Sequence, residues 1–544
     1  MYKHPGVYVE HVPSNMLSIE AASTSVTAFV GHINRGVAVT ANAGEPIFIS
    51  SPTQYAQKFG PLTGGSGGIR NDGDTADAFG HAIAHYFANG GSKAFIVPVA
   101  HTSGAPAAAT ATLTIADGAG QSVSLTLTAT SNGIWANDVM FDLSKTDTDD
   151  YALTIGTLDA ETLQAYNDAA DDAARAVVLQ DADFDIEFET FAGLDIDPDS
   201  GKAIAGMVNG TSGIITITST ALAAFAPGDP ETNVRVLSAA GSDANAPILT
   251  HYAAAFERLK DYRSVSIMVL PGLSWETATH QNIYQSAITH AEFMQNRMVL
   301  VDPSNQIADR LESGKDVKDE GFPTSPYAAL YYPHLTIGNP FYDAENNANV
   351  PETFDIGPSA MAAGLWGRID GSRGVWKAPA GLEATVRGTF GPNVNIGNAI
   401  QDNLNEWGVN CIRSIIGPSV IWGGRTLATK SKPQYRYIPV RRTQNMIGES
   451  LYNALQAVVF EPNDHKLWSG LRASVGNFMD GLHRAGAFQG EKASDAYFVN
   501  CGLGSTMTQG DIDAGIVRVV VGFAPLKPAE FVVVQIQQIV GQAA

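Results

Sequence analysis

The spacing of hydrophobic and polar positions changes several times along the chain, and each change marks a boundary. "TSVTAFVGHI" and "KAFIVPV" are continuous apolar, β-branched runs, as strands covered on both faces are. Between them, "SPTQYAQKFG" and "TADAFGHAIAHYFANGG" repeat their apolar residues at helical spacing. Strand and helix alternate, which predicts α/β architecture over residues 21–100. From 101 to 240 the period falls to two: "SVSLTLTAT" and "GIITITST" alternate between turn residues, with one helical stretch, "DAETLQAYNDAADDAARAVV". That segment reads as an inserted β-rich domain. Helix "ILTHYAAAFERLKDY", strand "SVSIMVLPG", helix "WETATHQNIYQSAITHAEFMQN" and strand "RMVLVDPS" then form a βαβ pattern, so the α/β domain resumes over 241–395.

Residues 396–526 read as an α+β C-terminal domain. Its strands are "VNCIRSII", "YRYIPVR", "AYFVNC" and "DAGIVRVVVGFAP", with helices at "NMIGESLYNALQAVVF" and "DHKLWSGLRASVGNFMDGLHRAG". Both ends read as extended arms, 1–20 and 527–544. The first carries Val7, Tyr8, Val9, Glu10, His11 and Val12. The second carries Phe531, Val532, Val533, Val534, Gln535, Ile536 and Gln537, with Val532, Val534 and Ile536 on one side and the glutamines on the other. A strand at a chain end has a whole backbone edge to satisfy and is an aggregation hazard unless something pairs with it. Pro525 and Pro528, which fix their own backbone and donate no main-chain hydrogen bond, make "APLKPAEF" a hinge before the second arm.

With 544 residues the chain exceeds one hydrophobic core, and 44% hydrophobic against 16% charged residues is the composition of a folded multidomain protein. No apolar run approaches the ~18 residues of a membrane span, and "MYKHPGVYVE" has no secretory pattern, so a soluble protein made in the cytoplasm is expected, without membrane insertion. Cys411 and Cys501 form no C-x-x-C pattern and are expected to be buried free thiols. The net charge of −22 is uneven: residues 101–240 hold 21 Asp and Glu against 4 Lys and Arg, a net of −17, while 401–544 hold 11 against 13. Acidity on that scale needs hydration and repels nucleic acid, which places the insertion outside and the C-terminal segment in contacts.

Several motifs suggest chemistry and lose it on their flanks. "GGSGG" at 64–68 fits a nucleophile elbow around Ser66, but loop-like residues stand where the strand and helix are required. "NGGSKAF" runs helix to strand, the reverse of a phosphate loop, so Gly90 and Gly91 read as helix-ending residues. His81 and His85 have zinc-ligand spacing, but Ala82 replaces the catalytic Glu and both are expected on the exposed face. "DADFDIEFE" reads as a strand with an acidic outer face, and "DIDPDSG" lacks the Gly and Glu of a calcium loop. In "KSKPQYRYIPVRR", basic residues alternate with Tyr435 and Tyr437; in so acidic a chain, Arg436, Arg441 and Arg442 are read as charged contacts with protein, not nucleic acid. No catalytic residue, metal ligand or cofactor site emerges, and the chain is read as no enzyme.

Ten fragments in order, "HPGVYVEHVPS", "TSVTAFVGHINRG", "YFANGGSKAFIVPV", "SPYAALYYPHL", "GVWKAPAG", "LNEWGVNCIRSI", "WGGRTL", "YRYIPVRRT", "FEPNDHKLW" and "GFAPLKPAEFVVVQI", resemble the contractile tail sheath proteins of bacteriophages and related contractile injection systems, R-type pyocins among them. The likeness spans most of the chain outside 101–240; Gly424 replaces a usual Ala, and "IGPSAMAAG" stands where members often have Pro-Pro-Ser-Gly. The resemblance implies a structural subunit of a virion tail or injection particle, assembled in the host cytoplasm. It implies sixfold rings stacked helically around a tail tube protein, with baseplate and tail terminator proteins as further partners. It also implies that both arms pair with the C-terminal domains of neighbouring subunits. Two rival readings are an α/β hydrolase using Ser66 and an adhesin displaying the acidic insertion.

Overall fold

The computed structural model describes the chain except residues 1–17, 34–43, 61, 63–68, 70, 73–74, 100–106, 117–121, 147–149, 196–199, 220–233, 243–245, 313–316, 345–349, 429–432, 532, 534 and 536–544. The buried apolar runs assemble into an eight-stranded sheet in the order Ile47–Ile49, Ala94–Pro98, Thr27–Gly31, Ile267–Val269, Met298–Val301, Ala328–Tyr332, Val409–Ser414, Ser419–Ile421. The six inner strands are parallel and the two edge strands antiparallel. Successive residues point to opposite faces, so each strand feeds two cores. Val299, Val301, Leu330 and Tyr332 face the helices Leu249–Arg258 and Ala278–Met294. Met298, Leu300, Ala329 and Tyr331 face Ala78–Ala88 and Ser359–Arg373.

Ser359–Arg373 is buried nearly all round, an apolar pattern with no amphipathic stripe to reveal it. It lies against Ala78–Ala88 so closely that a Cβ on Gly364 would stand 2.3 Å from the Tyr86 carbonyl oxygen. Trp366 is fully buried and its indole donates to the Tyr331 hydroxyl at 2.7 Å. The same packing corrects the expected exposure of His81 and His85. The face opposite the sheet is covered by a second layer, where the His81 ring meets Phe354 edge-on and stacks with His85. Burial lowers the pKa of both, that of His85 to about 4.

The chain leaves the sheet after Pro98 and rejoins it at Ile267, two strands away. Between these points it builds a three-stranded sheet, Ile215–Ser219, Ser122–Ala129, Thr110–Ala116, and a four-stranded one, Ile186–Leu194, Tyr151–Thr157, Val139–Lys145, Val234–Leu237. These share a core of their own that includes Leu113, Leu127, Phe141, Leu153 and Ile217. Ala107 and Ser242 exchange backbone hydrogen bonds of 3.1 and 3.0 Å, so the segment's two ends lie side by side. The single helical stretch proves to be two helices, Ala160–Asp168 and Asp172–Gln180, because Asp159 and Asp171 each cap a separate N-terminus. The acidic strand starts only at Ile186. Before it, the Arg235 guanidinium gathers the carbonyls of Leu179, Gln180 and Ala182, holding that backbone in a turn.

The large sheet also takes in Val409–Ser414 and Ser419–Ile421, beyond the boundary read at 396. The parallel crossover from Ala328–Tyr332 fixes this, and it is a long-range pairing. Past the sheet, Ile438–Leu455 and His465–Arg484 are helices, followed by Tyr497–Asn500 paired antiparallel with Val520–Phe523. "YRYIPVR" is therefore not a strand. Ile438 opens a helix there, with Pro439 in the first turn, where its missing N–H costs nothing.

Candidate assembly interface

Both ends of the described chain run to the helical C-terminal unit. Ile19 packs against the cluster of Met446, Val475, Met479 and Phe488, and the Ala22 amide donates to Ser450 Oγ at 2.8 Å. At the other end, the Ala524 amide donates to the Ala496 carbonyl at 2.8 Å and the Gln489 amide to the Ala524 carbonyl at 2.9 Å. The two-stranded sheet between them pairs Tyr497 with Phe523 and Asn500 with Val520. Among the described residues no third strand joins either outer edge. Phe498 and Val520 on it are exposed.

Beyond Phe523 the chain runs without a turn to Glu530. Its carboxylate takes Arg425 Nη2 at 2.6 Å, the Tyr437 hydroxyl at 3.2 Å and Asn405 Nδ2 at 3.4 Å. The Arg425 side chain is 5% exposed and that of Glu530 19%. Arg425 is itself fixed: its amide donates to Asn410 Oδ1 at 2.7 Å and its Nη1 to the Asn405 carbonyl at 2.5 Å. Charge-assisted bonds to a preset guanidinium are the strong kind. Burial comes first in raising the Tyr437 pKa, and the neighbouring carboxylate adds to it.

This clamp qualifies the hinge expectation. Pro525 bridges Phe488 and Glu530 is held by Arg425, so the connector is tied at both ends, and Pro528 between them lines a cavity together with Trp376, Lys377 and Trp422. The expected arm strands fall mostly outside the described residues: Val7, Tyr8, Val9, Glu10, His11 and Val12, and likewise Val532, Val534, Ile536 and Gln537. Of the rest, Gln535 is exposed, and Phe531 and Val533 are 75% and 82% exposed, with no strand assigned to any of the three.

Two of the three arginines require a correction. Arg441 and Arg442 are each 4% exposed and are used within the chain. Arg441 lies between the rings of Tyr327 and Tyr435, 4.6 and 4.5 Å from their centres, and its Nε donates to Asn445. Arg442 pairs with Asp370, donates to the Thr24 carbonyl and covers the Trp366 ring. Starting a helix at Ile438, where a strand was expected, turns both onto the α/β body. Arg436 is half-buried. The residues that sequence reading missed are Glu530 and its partners. A lone acid opening an apolar run was the available signal, but its partners lie 93 to 125 residues earlier.

Among the described residues, the motifs that suggested chemistry bring no site together. Ser66 and most of "DIDPDSG" fall outside the described residues. Gly90, at φ 104°, stops the helix that ends at Ala88. A Cβ on Gly388 would stand 3.0 Å from His85 Nδ1, and no group of three or more His, Cys, Asp or Glu among the described residues is placed to hold a metal. Cys411 and Cys501 are buried free thiols, the first with its pKa pushed up to about 12 by burial. No helix among the described residues is long and apolar enough to cross a membrane.

Residues 430–539 match the phage tail sheath C-terminal domain. The chain is 33% identical over 178 residues to the tail sheath protein of Burkholderia phage BcepMu, a match that covers 31% of this chain and 35% of that one, so it spans about a third of the relative's length. Two solved structures share the fold nearly end to end. The helical sheath of the anti-feeding prophage in its contracted state has TM-score 0.57 at 22% identity, covering 99% of this chain and 100% of that one. The contracted PVC sheath complex of an extracellular contractile injection system has TM-score 0.54 at 21% identity, covering 99% of each chain. These findings support the resemblance read from the fragments: residues 430–539 match a sheath C-terminal domain, and the chain shares with solved sheath structures a mixed α/β fold of several sheets.

Proposed function

We propose that this protein is the structural subunit of a contractile tail sheath, that it acts by polymerising and not by catalysis, and that the arms make the polymer. The observation that supports this best is the two-stranded sheet Tyr497–Asn500/Val520–Phe523, which among the described residues has no third strand on either edge, on the unit against which Ile19 also packs. In a polymer each edge receives one arm, Val7–Val12 from one neighbour and the strand beginning at Phe531 from another, and two strands become four. Six subunits form a ring, rings stack helically around a tail tube between baseplate and terminator, and contraction drives the tube through a bacterial envelope. The C-terminal unit faces the tube and the acidic insertion faces solvent. On contraction the bodies rotate and slide while paired arms hold them together. The extended state stores free energy, so subunits expressed without a tube assemble directly in the contracted form.

Negative-stain microscopy of the purified protein tests this reading: hollow cylinders are expected, and dispersed monomers at every concentration would reject it. Cryomicroscopy of the extended and contracted polymers tests the tether. A change of backbone partner for Phe531–Gln535 between the two states would refute it.

A further inference from the structure

We propose that Glu530 is a positioning residue that keeps a subunit's own C-terminal strand off its own open sheet edge, reserving that edge for another copy. The inference rests on the arm-exchange reading above. The strand Val520–Phe523 and the arm that begins at Phe531 are separated by only seven residues, 524–530. A strand on so short a tether meets its own edge at an effective concentration in the millimolar range, well above that of any other copy. Left free, the connector would serve as a hairpin loop, and the subunit would cap itself and drop out of assembly.

The structure blocks that closure by routing the connector elsewhere. Residues 524–531 contain no turn, and they are carried to three groups outside the two-stranded sheet: Arg425 after the edge strand Ser419–Ile421 of the large sheet, Asn405 in Asn398–Glu406, and Tyr437 capping the helix Ile438–Leu455. Seven extended residues span up to about 24 Å. A tail clamped at Glu530 cannot close the connector as a short hairpin loop, and would have to reverse there and return over up to about the same span. The arm then starts at Phe531 without the short route back to its own edge, which stays free for another copy.

The test compares the full chain with Glu530→Ala, Glu530→Gln, and a chain ending at Phe531. The truncated chain has no arm to exchange and supplies the open-edge reference for amide hydrogen exchange; adding Glu530→Ala to it checks that the substitution is tolerated by the fold. The full-length Glu530→Ala protein is expected to lose at least tenfold in polymer yield. Its soluble fraction is expected to show Val520–Phe523 amides exchanging at least tenfold more slowly than in the truncated chain. Glu530→Gln, which keeps hydrogen-bonding atoms for Tyr437 and Asn405, is expected to recover part of the yield. Normal polymerisation of Glu530→Ala would overturn the proposal, and so would blocked polymerisation with edge amides as fast as in the truncated chain. If the truncated chain itself polymerises, the arm-exchange reading fails first; if it does not while Glu530→Ala does, the clamp alone is wrong.

Discussion

Arg442 and Asp370 form a two-pronged ion pair, with Nη1 to Oδ1 at 2.9 Å and Nη2 to Oδ2 at 2.5 Å, and both side chains are buried. The pair joins Ile438–Leu455 of the C-terminal unit to Ser359–Arg373 beneath the large sheet. Arg263 and Glu449 repeat the arrangement one face over, at 3.0 and 2.6 Å. Removing one partner of such a pair strands the other charge, which typically costs about 3–5 kcal/mol. Arg442→Ala is therefore expected to lower the urea midpoint sharply, and Arg442→Met with Asp370→Leu to recover much of the loss. A single substitution with an unchanged midpoint would show that the junction does not depend on this pair.

The buried titratable groups predict opposing pH dependences. Burial depresses His85 to about 4 and His290 to about 3, below the usual 6.5. As pH falls below 6.5 the unfolded chain takes up protons that the fold refuses, so their contribution is full above 6.5 and is lost on acidification. Asp302 has the opposite sign. Burial raises its pKa from 3.8 to about 7, against hydrogen bonds from Ser359, so its penalty is full above about 7 and fades as pH falls towards 4. Asp302→Asn removes that opposing slope. Urea midpoints at pH 7.5, 6 and 5 are expected to fall more steeply in the variant than in the parent, and parallel slopes would contradict the assignment.

The adjacent ends of the insertion make it removable. Because Ala107 and Ser242 face each other across paired hydrogen bonds, a short Gly/Ser linker can replace residues 109–240 without displacing the strands on either side. The shortened chain is expected to keep a cooperative thermal transition and to assemble. Assembly lost with the fold retained, by circular dichroism, would place the insertion in the connecting scaffold.

Deleting residues 1–12, or ending the chain at Phe531 so that the Glu530 clamp stays, is expected to give folded protein that does not polymerise. Tubes of parental length from either truncation, seen by electron microscopy, would dismiss arm exchange.

Much of the fold was legible because local pattern and tertiary role coincide in it. "KAFIVPV" and "RMVLVDPS" are short, β-branched apolar runs, the pattern of strands covered on both faces. The insertion showed itself by a change of period and of charge. The helix Ser359–Arg373 escaped because burial on all sides leaves no stripe, and Arg441 and Arg442 were misplaced because a one-element error at Ile438 reverses which surface they face.

The sequence by itself determined most of the elements, the change of period and charge over 101–240 and the likeness to contractile sheaths, all of which rest on residues close together in the chain. Only the tertiary structure decided that the sheet extends past residue 396, that His81 and His85 lie between two layers, that two arginines join bodies within one subunit, and that Glu530 fixes the connector. Each depends on partners tens to hundreds of residues apart, brought together when the chain folds. Pairing at that distance follows from how layers stack and cover one another, and neither period nor composition encodes it.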